Sequence, residues 1–297
     1  MLPIQFRTNE IESAVFFRIT NYGSRKTDSN EILLNQSTIM SSHERAQHDE
    51  ANNVTYQRCQ YAYEYAKPFI TGKKVLDVGC GNAYGTALMA ESASEIMGLD
   101  YDQATIDDNK SRYSTIKNLS FKRAEIPPLP FEDNSFDVVT AFQFIEHIHA
   151  RKEFMKECLR VLKPGGKVMI TTPNVKKSLA RNPFHVHEYT FDEIKGEISS
   201  LTGGYALQGL NGNTTVNTYY EENGKFVRMI LKWDIFKLHQ KLPSAWLAKP
   251  YNLITNMMRN KLKEKVDTTT QITTKDFFLQ REKLDECWDI YLEASKN

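Results

Sequence analysis

The sequence predicts an α/β fold in which a mostly parallel β-sheet is covered by helices on both faces. Short apolar segments rich in β-branched residues, such as 75–79 and 136–142, have the length and composition of buried parallel strands. Segments with apolar residues at helical spacing, such as 153–162, alternate with them along the chain. This alternation predicts a parallel sheet, because each helix returns the chain to the edge where the next parallel strand begins.

Composition is that of a soluble protein with a core of ordinary size. The hydrophobic content of 40% suffices for packing, and a net charge of +1 gives no overall attraction to nucleic acid or anionic membranes. The four cysteines are scattered without a C-x-x-C pair, which argues against a disulfide framework or a cysteine zinc site. The N-terminus lacks a signal-peptide core and no apolar run reaches membrane-spanning length, so we expect a cytoplasmic location.

A glycine-rich turn joins the first predicted strand to a helix. The segment 75–86 reads Val-Leu-Asp-Val-Gly-Cys-Gly-Asn-Ala-Tyr-Gly-Thr. Glycines let the backbone approach a ligand closely, and the first turn of a helix offers N–H groups to it. The dinucleotide fingerprint Gly-x-Gly-x-x-Gly is not satisfied, because Tyr84 stands where the third glycine is required. Asp77 would repel a pyrophosphate and attract an ammonium group.

A second acidic residue ends the next predicted strand. Asp100 lies nineteen residues after Gly81, close to the spacing at which a carboxylate binds ribose hydroxyls. S-adenosylmethionine (SAM) has a ribose, a positively charged amino-acid end and no phosphate. Its ammonium group would therefore suit Asp77, and its ribose hydroxyls would suit Asp100.

Four stretches resemble, in order, the motifs of the class I SAM-dependent methyltransferases and of their methyltransferase type 11-like group. They are Val75–Gly85, Gly98–Asp100, Ala124–Phe131 with Phe136–Val139, and Leu162–Val168. The resemblance covers about residues 60–200. It implies a Rossmann-like sheet of seven strands with the last antiparallel, SAM as methyl donor and S-adenosylhomocysteine as product.

This resemblance divides the chain into four parts. They are an N-terminal extension (1–45), a SAM-binding methyltransferase domain (46–220), a basic helical insertion (221–280) and the closing strand of the sheet (281–297). Segments 205–210 and 214–219 are predicted strands, Pro68 is expected to end a helix, and 164–166 is a predicted tight turn.

The resemblance also implies a set of cofactor-binding residues near the carboxyl ends of the first four strands. They are Asp77, Gly79, Cys80, Gly81, Asp100, Tyr101, Ala124, Glu125, Phe142 and Gln143. Asp77 is expected to bind the methionyl ammonium directly or through water, and Asp100 to accept both ribose hydroxyls. The acid that contacts adenine in many relatives is replaced by Arg123, so Ala124 or Glu125 would take over that contact.

Two histidine-containing loops follow the fourth and fifth strands, at the sheet edge where ligands bind in open α/β folds. Methyl transfer to a hydroxyl requires removal of a proton, and imidazole titrates near neutral pH. The candidate catalytic residues are Glu146 and His147 in the first loop and His187 in the second. A hydrogen-bonded structural histidine is the alternative at both histidine positions.

The same loops contain the residue types of a metal site. Glu146 and His147 would supply a carboxylate and an imidazole, and His185 or His187 a second imidazole. The metal-dependent small-RNA 2′-O-methyltransferases, which this pattern resembles, have an acid where Gln143 stands. Because that charged ligand is missing, we expect no metal.

The expected acceptor is an O or N nucleophile of a small molecule, sugar or glycan precursor, because 182–190 resembles a segment of glycan and small-metabolite enzymes. RNA methylation is one alternative. A non-catalytic SAM-binding partner subunit is another, and the departures at Ala83 and Arg123 keep it open. The basic, aromatic segment 225–265 would contact an anionic membrane or a lipid-linked acceptor, or else be an ordinary helical insertion. No strong nucleic-acid signal is present, and the oligomeric state stays open.

Overall fold

The computed structural model describes residues 53–180, 182–232, 246–247 and 271–297. The predicted N-terminal extension and most of the basic segment 225–265 lie outside these ranges. Among the described helices, none is both long enough and apolar enough to cross a bilayer.

Helices and strands alternate through the first two thirds of the described residues, except between β3 and β4, which no helix separates. In chain order they are α1 Asn53–Ile70, β1 Lys74–Val78, α2 Tyr84–Ala90, β2 Glu95–Asp100, α3 Gln103–Arg112, β3 Leu119–Arg123, β4 Phe136–Phe142, α4 Arg151–Val161, β5 Leu162–Pro173, α5 Phe191–Ser199, β6 Tyr205–Gly212, α6 Thr214–Leu231, β7 Phe277–Gln280 and β8 Asp289–Ser295.

One sheet contains all eight of these strands, in the order β3-β2-β1-β4-β5-β8-β6-β7. Strands β1 to β5 are parallel, β8 pairs antiparallel with both β5 and β6, and β7 pairs antiparallel with β6. The predicted mostly parallel α/β sheet with an antiparallel closing strand is confirmed. The sheet has eight strands instead of the expected seven, because Phe277–Gln280, inside the predicted insertion, pairs with the edge of β6.

The predicted strand at 214–219 is wrong, because these residues begin α6. Asn213 precedes this helix, and its side-chain oxygen accepts the backbone N–H of Val216 at 3.1 Å. This is the hydrogen bond of a helix N-cap. The N-cap therefore favours a helix in this segment, although its threonines and valine have strand-forming propensities.

Two further boundaries differ from expectation. Helix α1 continues past Pro68 to Ile70, whose completely buried side chain holds the last turn against the sheet. The turn predicted at 164–166 lies inside β5. There Gly165 has a φ of 75°, and the pairing of β5 with β4 shifts register near Phe136. The glycines thus bend a strand without ending it.

The two faces of the sheet carry separate cores because successive strand residues point to opposite sides. Leu76 packs in the core that includes α4 and α5, whereas its neighbour Val75 packs in the core that includes α1 and α2. Ile290 and Tyr291 of β8 divide in the same way. With both faces covered, the carboxyl edge of the parallel strands is where polar side chains gather.

Candidate functional site

The loop after β1 is fixed by hydrogen bonds to the end of β2. The backbone N–H groups of Gly79 and Cys80 both donate to the carbonyl oxygen of Leu99 at 2.8 Å. The N–H of Gly81 donates to a carboxylate oxygen of Asp100 at 3.0 Å. Gly79 and Gly81 have φ values of 74° and 53°, which favour glycine. The loop conformation therefore depends on these glycines and on the second acid.

Ala83 completes the turn in the same left-handed region, with a φ of 58° just before α2. For a residue other than glycine this conformation costs about 1–2 kcal/mol. Its methyl group is completely buried in a small core with Ile106 and Phe121. The alanine that departs from the resembled pattern thus adopts a glycine-like backbone, and burial of its methyl group offsets part of the cost.

Asp77 is completely buried under the loop. Its two carboxylate oxygens accept hydrogen bonds from the hydroxyls of Thr86 at 2.6 Å and Thr140 at 2.7 Å. Burial raises the pKa of Asp77 to about 6, although both hydroxyl hydrogen bonds lower it. In this arrangement Asp77 braces the loop from beneath, and direct contact with a ligand ammonium would require the carboxylate to become accessible.

Asp100 lies at the carboxyl end of β2 with only 6% of its surface exposed. Besides Gly81, its carboxylate accepts the backbone N–H of Asp102 at 3.0 Å. An ionised carboxylate accepts hydrogen bonds and donates none, which is the chemistry needed to bind ribose hydroxyls.

The predicted adenine side of the pocket is built around Arg123. Its guanidinium donates to the carbonyl oxygen of Tyr101 at 3.0 Å and to the carboxylate of Glu125 at 2.5 Å. The N–H of Ala124 donates to the backbone oxygen of Asp100 at 3.0 Å. The Glu125 carboxylate and the Ala124 N–H, which were expected to replace the missing acid, thus both have partners within the protein.

Phe142 and Gln143 follow one another at the end of β4 but differ in environment. The ring of Phe142 is 5% exposed and packs edge-on against Tyr63, with centroids 4.9 Å apart. Gln143 has a φ of 53°, and its side-chain amide lies 3.3 Å from the hydroxyl of Thr171. A non-glycine residue in this region at a strand end is typical of functional sites.

Three side chains from two loops meet beyond β4 and form what we call the Glu-His-His cluster: Glu146, His147 and His185. One potential ligand atom from each lies within 4.8 Å of the other two. The two imidazole rings have centroids 5.0 Å apart and are nearly perpendicular. The cluster joins the turn after β4 to the loop after β5.

Backbone hydrogen bonds hold those two loops together. The carbonyl oxygen of Glu146 accepts the N–H groups of Val186 at 2.7 Å and His187 at 3.2 Å. The Nδ1 atom of His147 lies 3.2 Å from the carbonyl oxygen of Phe184. Because a carbonyl can only accept, Nδ1 of His147 carries a proton, and in the neutral ring Nε2 carries the lone pair.

His185 is oriented by a carboxylate. Its Nδ1 atom lies 2.6 Å from Glu188, and its Nε2 atom lies 2.9 Å from the amide nitrogen of Asn182. The pKa of Glu188 lies below its usual range, because hydrogen bonds from His185 and Ser178 outweigh the opposing effect of burial. Glu188 is therefore ionised and holds the ring through Nδ1–H.

His187, the expected catalytic histidine of this loop, lies outside the cluster. Its ring packs against Tyr189 with centroids 4.8 Å apart, and its Nε2 atom is 3.9 Å from Glu193. Turn geometry decides this outcome, since residues two apart in a loop need not face the same way. The sequence predicted His187 as the catalytic histidine and named His185 only as a possible metal ligand, whereas the structure places His185 beside Glu146 and His147.

Glu146 is a buried acid, with 1% of its surface exposed. Burial raises its pKa to about 7, although nearby His185 and a hydrogen bond from Thr172 at 3.0 Å lower it. A carboxyl group with a pKa near neutrality can exchange protons at physiological pH.

The structure also contains a buried ion pair that the sequence analysis did not predict. Arg58 of α1 and Asp289 of β8 form an ion pair, with 3.2 Å between Nε and Oδ2 and side chains 15% and 2% exposed. Burial raises the pKa of Asp289 to about 6, against the lowering effect of Arg58. The two residues lie at opposite ends of the described chain, so that no spacing pattern links them.

This edge of the sheet therefore contains three buried carboxylates with raised pKa values, those of Asp77, Glu146 and Asp289. Arg58 compensates the charge of Asp289, whereas Asp77 and Glu146, when ionised, favour a cationic ligand over an anionic one. SAM carries a sulfonium and an ammonium group. The charge of the site and the acceptor at Asp100 thus both fit this cofactor and disfavour a pyrophosphate.

Comparison with known proteins identifies the same region. Residues 76–170 match a family profile described as a methyltransferase domain. A protein from Mycolicibacterium smegmatis named a probable S-adenosylmethionine-dependent methyltransferase is 37% identical over 165 residues, which cover 54% of this chain and 62% of that protein. A probable S-adenosylmethionine-dependent methyltransferase from Mycobacterium tuberculosis is 37% identical over 49% of this chain and 54% of its own length.

A ubiquinone biosynthesis O-methyltransferase from Acinetobacter baumannii is 31% identical over 38% of this chain and 47% of that enzyme. The chain thus spans little more than half the length of the first curated relatives, and less of this one. Among solved structures, the [4+2]-cyclase SpnF has a TM-score of 0.52 at 18% identity, covering 81% of this chain and 80% of that one. The YcgJ protein of Bacillus subtilis has a TM-score of 0.50 at 15% identity, covering 80% and 98%. At these identities the likeness concerns the fold alone.

Proposed function

We propose that this chain is a class I S-adenosylmethionine-dependent methyltransferase that transfers a methyl group from SAM to a hydroxyl or amine of a small organic acceptor. One observation carries the proposal. Phe144 lies directly against Gly79, since a Cβ added there would stand 2.3 Å from its ring. The glycine loop is therefore in contact with the turn that presents Glu146 and His147.

The cofactor side of the site follows from the end of β2 and the glycine loop. Asp100 would accept the ribose hydroxyls, and the backbone of Gly79 and Gly81 would border the methionyl part. SAM supplies an electrophilic methyl group on a sulfonium that leaves readily. Asp77 would act mainly through the loop it braces, and its buried charge would favour the cationic end at short range.

The acceptor side is the Glu-His-His cluster. A hydroxyl nucleophile must be oriented and must lose its proton. His147 offers a lone pair on Nε2 because Phe184 fixes its tautomer, and Glu146 has a pKa of about 7. We assign activation of the acceptor to this cluster, with His185 in the place that the sequence predicted for His187.

The chemical class of the acceptor is supported by resemblance. The relatives include enzymes named for O-methylation in ubiquinone biosynthesis and for demethylmenaquinone methylation. The segment 182–190 resembles that of glycan and small-metabolite enzymes. A hydroxyl on a small organic acceptor, including a sugar or glycan precursor, is consistent with the relative named for O-methylation and with this segment.

Calorimetric titration with S-adenosylhomocysteine tests the cofactor assignment. We expect micromolar binding by the full chain and loss of that binding in Asp100→Ala. Asp108→Ala is the matched control, because Asp108 is an exposed acid on α3 that pairs with its helix neighbour Arg112 at 2.8 Å. Unchanged thermal unfolding of both variants would show that the fold is intact. A wild-type chain that does not bind would contradict the proposal.

The acceptor is then sought by mass spectrometry of candidate sugars, quinols and phenols incubated with enzyme and SAM. A methylated product that requires His147 would support the assignment of the cluster. Methylation of RNA with steep salt dependence would instead place the activity on nucleic acid. Cofactor binding without any methylated product in these screens would favour a partner subunit without catalysis.

A further inference from the structure

We propose that the Glu-His-His cluster is a site for one divalent transition-metal ion. Its role, to hold and activate the acceptor hydroxyl, rests on the proposed function. The inference reverses the expectation from sequence that no metal is bound.

The donor set and its spacing suit such an ion. One carboxylate and two imidazoles are ligands of Zn²⁺ and of neighbouring first-row metals. Ligand atoms about 2.0–2.2 Å from an ion lie at most about 4.4 Å from one another. In the structure, ligand atoms of Glu146, His147 and His185 lie within 4.8 Å of one another. Small side-chain rotations would therefore suffice to close the site.

The partners of the two imidazoles give an independent reason. A histidine that binds a metal usually donates its other ring N–H to a carbonyl or a carboxylate. His147 has the carbonyl oxygen of Phe184 at 3.2 Å from Nδ1. His185 has the carboxylate of Glu188 at 2.6 Å from Nδ1. In both neutral rings Nε2 then carries the lone pair, which is the form in which imidazole binds a metal.

The carboxylate of Glu146 is also oriented by a neighbouring group. Glu146 is 1% exposed, and its Oε2 accepts the hydroxyl of Thr172 at 3.0 Å. Carboxylates that bind metals are themselves hydrogen-bonded by neighbouring groups. A buried negative charge is costly unless a cation compensates it. An ion held by Glu146 would provide that compensation at short range.

Two side-chain amides, those of Gln143 and Asn182, lie near the proposed metal ligands. Gln143, whose lack of charge led to the expectation of no metal, turns toward Thr171 at 3.3 Å. The third ligand is supplied by His185. The amide of Asn182 lies 2.9 Å from Nε2 of His185 and would have to withdraw from it.

A cation with three protein ligands keeps open coordination positions. A hydroxyl bound at one of them has a lowered pKa and releases its proton to solvent more readily. The acceptor would then be activated without proton transfer to an imidazole. This distinguishes the inference from general-base catalysis by His147, which needs no metal.

The test measures metal binding directly on the full chain after removal of metals with EDTA. Titration with Zn²⁺ by calorimetry is expected to show one site, and titration with Co²⁺ is expected to produce a visible absorption band from imidazole ligation. Glu146→Gln and His185→Ala should each weaken Zn²⁺ binding by at least about 100-fold, since each removes a ligand. Glu188→Gln, which removes only the orienting partner of His185, should weaken it by about 10–100-fold.

His187→Ala is the matched control, because His187 lies in the same loop but outside the cluster. It should leave Zn²⁺ affinity unchanged. Failure of the wild-type chain to bind either ion would overturn the inference. So would binding that survives both Glu146→Gln and His185→Ala, because the ion would then lie elsewhere in the chain.

Binding of S-adenosylhomocysteine in the same samples separates the two proposals. A chain that binds S-adenosylhomocysteine but neither metal leaves the proposed methyl transfer standing and overturns the metal site. A chain that binds Zn²⁺ through the cluster but not S-adenosylhomocysteine supports the metal site and contradicts the proposed transfer. Retained S-adenosylhomocysteine affinity also shows that a variant is folded.

Discussion

The carboxylate of Asp77 accepts the hydroxyl of Thr86 at 2.6 Å, and this bond joins the end of β1 to the helix on the far side of the glycine loop. A second hydroxyl, that of Thr140 on β4, binds the other carboxylate oxygen at 2.7 Å. The loop is thus closed from beneath by one buried acid that connects two strands and a helix.

Asp77→Asn is expected to remove a pH dependence of stability. Burial raises the pKa of Asp77 from 3.8 to about 6, so the folded state holds a proton that the unfolded state has released between these values. Through this group the wild-type protein gains stability as the pH falls from about 6 to about 4, and that gain is absent above about 6. In the ligand-free chain, the difference in free energy of unfolding between wild type and variant should shift by up to about 3 kcal/mol toward wild type. Urea unfolding across this pH range measures the shift. A difference between the two proteins that stays constant with pH would contradict the raised pKa of Asp77.

Gly85→Ala and Gly196→Ala should change stability in opposite directions although both residues lie in helices. A Cβ at Gly85 would stand 2.2 Å from the buried ring of Tyr63, whereas one at Gly196 would meet nothing within 4 Å. We expect Gly85→Ala to destabilise by about 1–3 kcal/mol through overpacking. Gly196→Ala should stabilise by about 0.5–1 kcal/mol, because glycine has the greater entropy when unfolded. Denaturant midpoints of the two variants decide this; equal shifts would refute the packing of α2 against α1.

The buried pair of Arg58 and Asp289 predicts strong non-additivity. Each of Arg58→Met and Asp289→Leu leaves one buried charge without its partner and should destabilise by about 3–5 kcal/mol. The double variant should be more stable than the sum of the two single losses predicts, since no buried charge remains. Urea unfolding of the four proteins in the cycle gives the coupling energy. A coupling near zero would mean that the pair contributes nothing to the joining of α1 and β8.

His185→Ala and His187→Ala should have different effects on the rate of methyl transfer. Loss of a group that activates the acceptor lowers turnover by about 10²–10⁴-fold, and His185 belongs to the cluster that we assign to this task. His187→Ala should change turnover by less than about threefold, because its ring packs against Tyr189 outside the cluster. Steady-state kinetics with the identified acceptor give both values. The reverse order would favour His187, the assignment made from the sequence, over His185.

Local patterns sufficed for most of the cofactor half. Strand β4 has the predicted boundaries, Phe136–Phe142, and β2 ends at Asp100 as predicted, because composition and period are properties of neighbouring residues. The glycine loop was recognisable for the same reason, since its backbone demands certain residues at certain positions. The segment 214–219 was misjudged, because strand-forming residues there follow a helix cap that outweighs them.

The sequence by itself determined the fold class, the glycine loop between β1 and α2, and the acid at the end of β2. Only the tertiary structure decided that His185 joins Glu146 and His147, and that Arg58 reaches Asp289. The physical reason is one of range. Spacing along a chain reports which residues share a strand or helix face, whereas contacts between loops depend on strand order and on the direction in which each loop turns. The chemistry of this protein is built from contacts of the second kind.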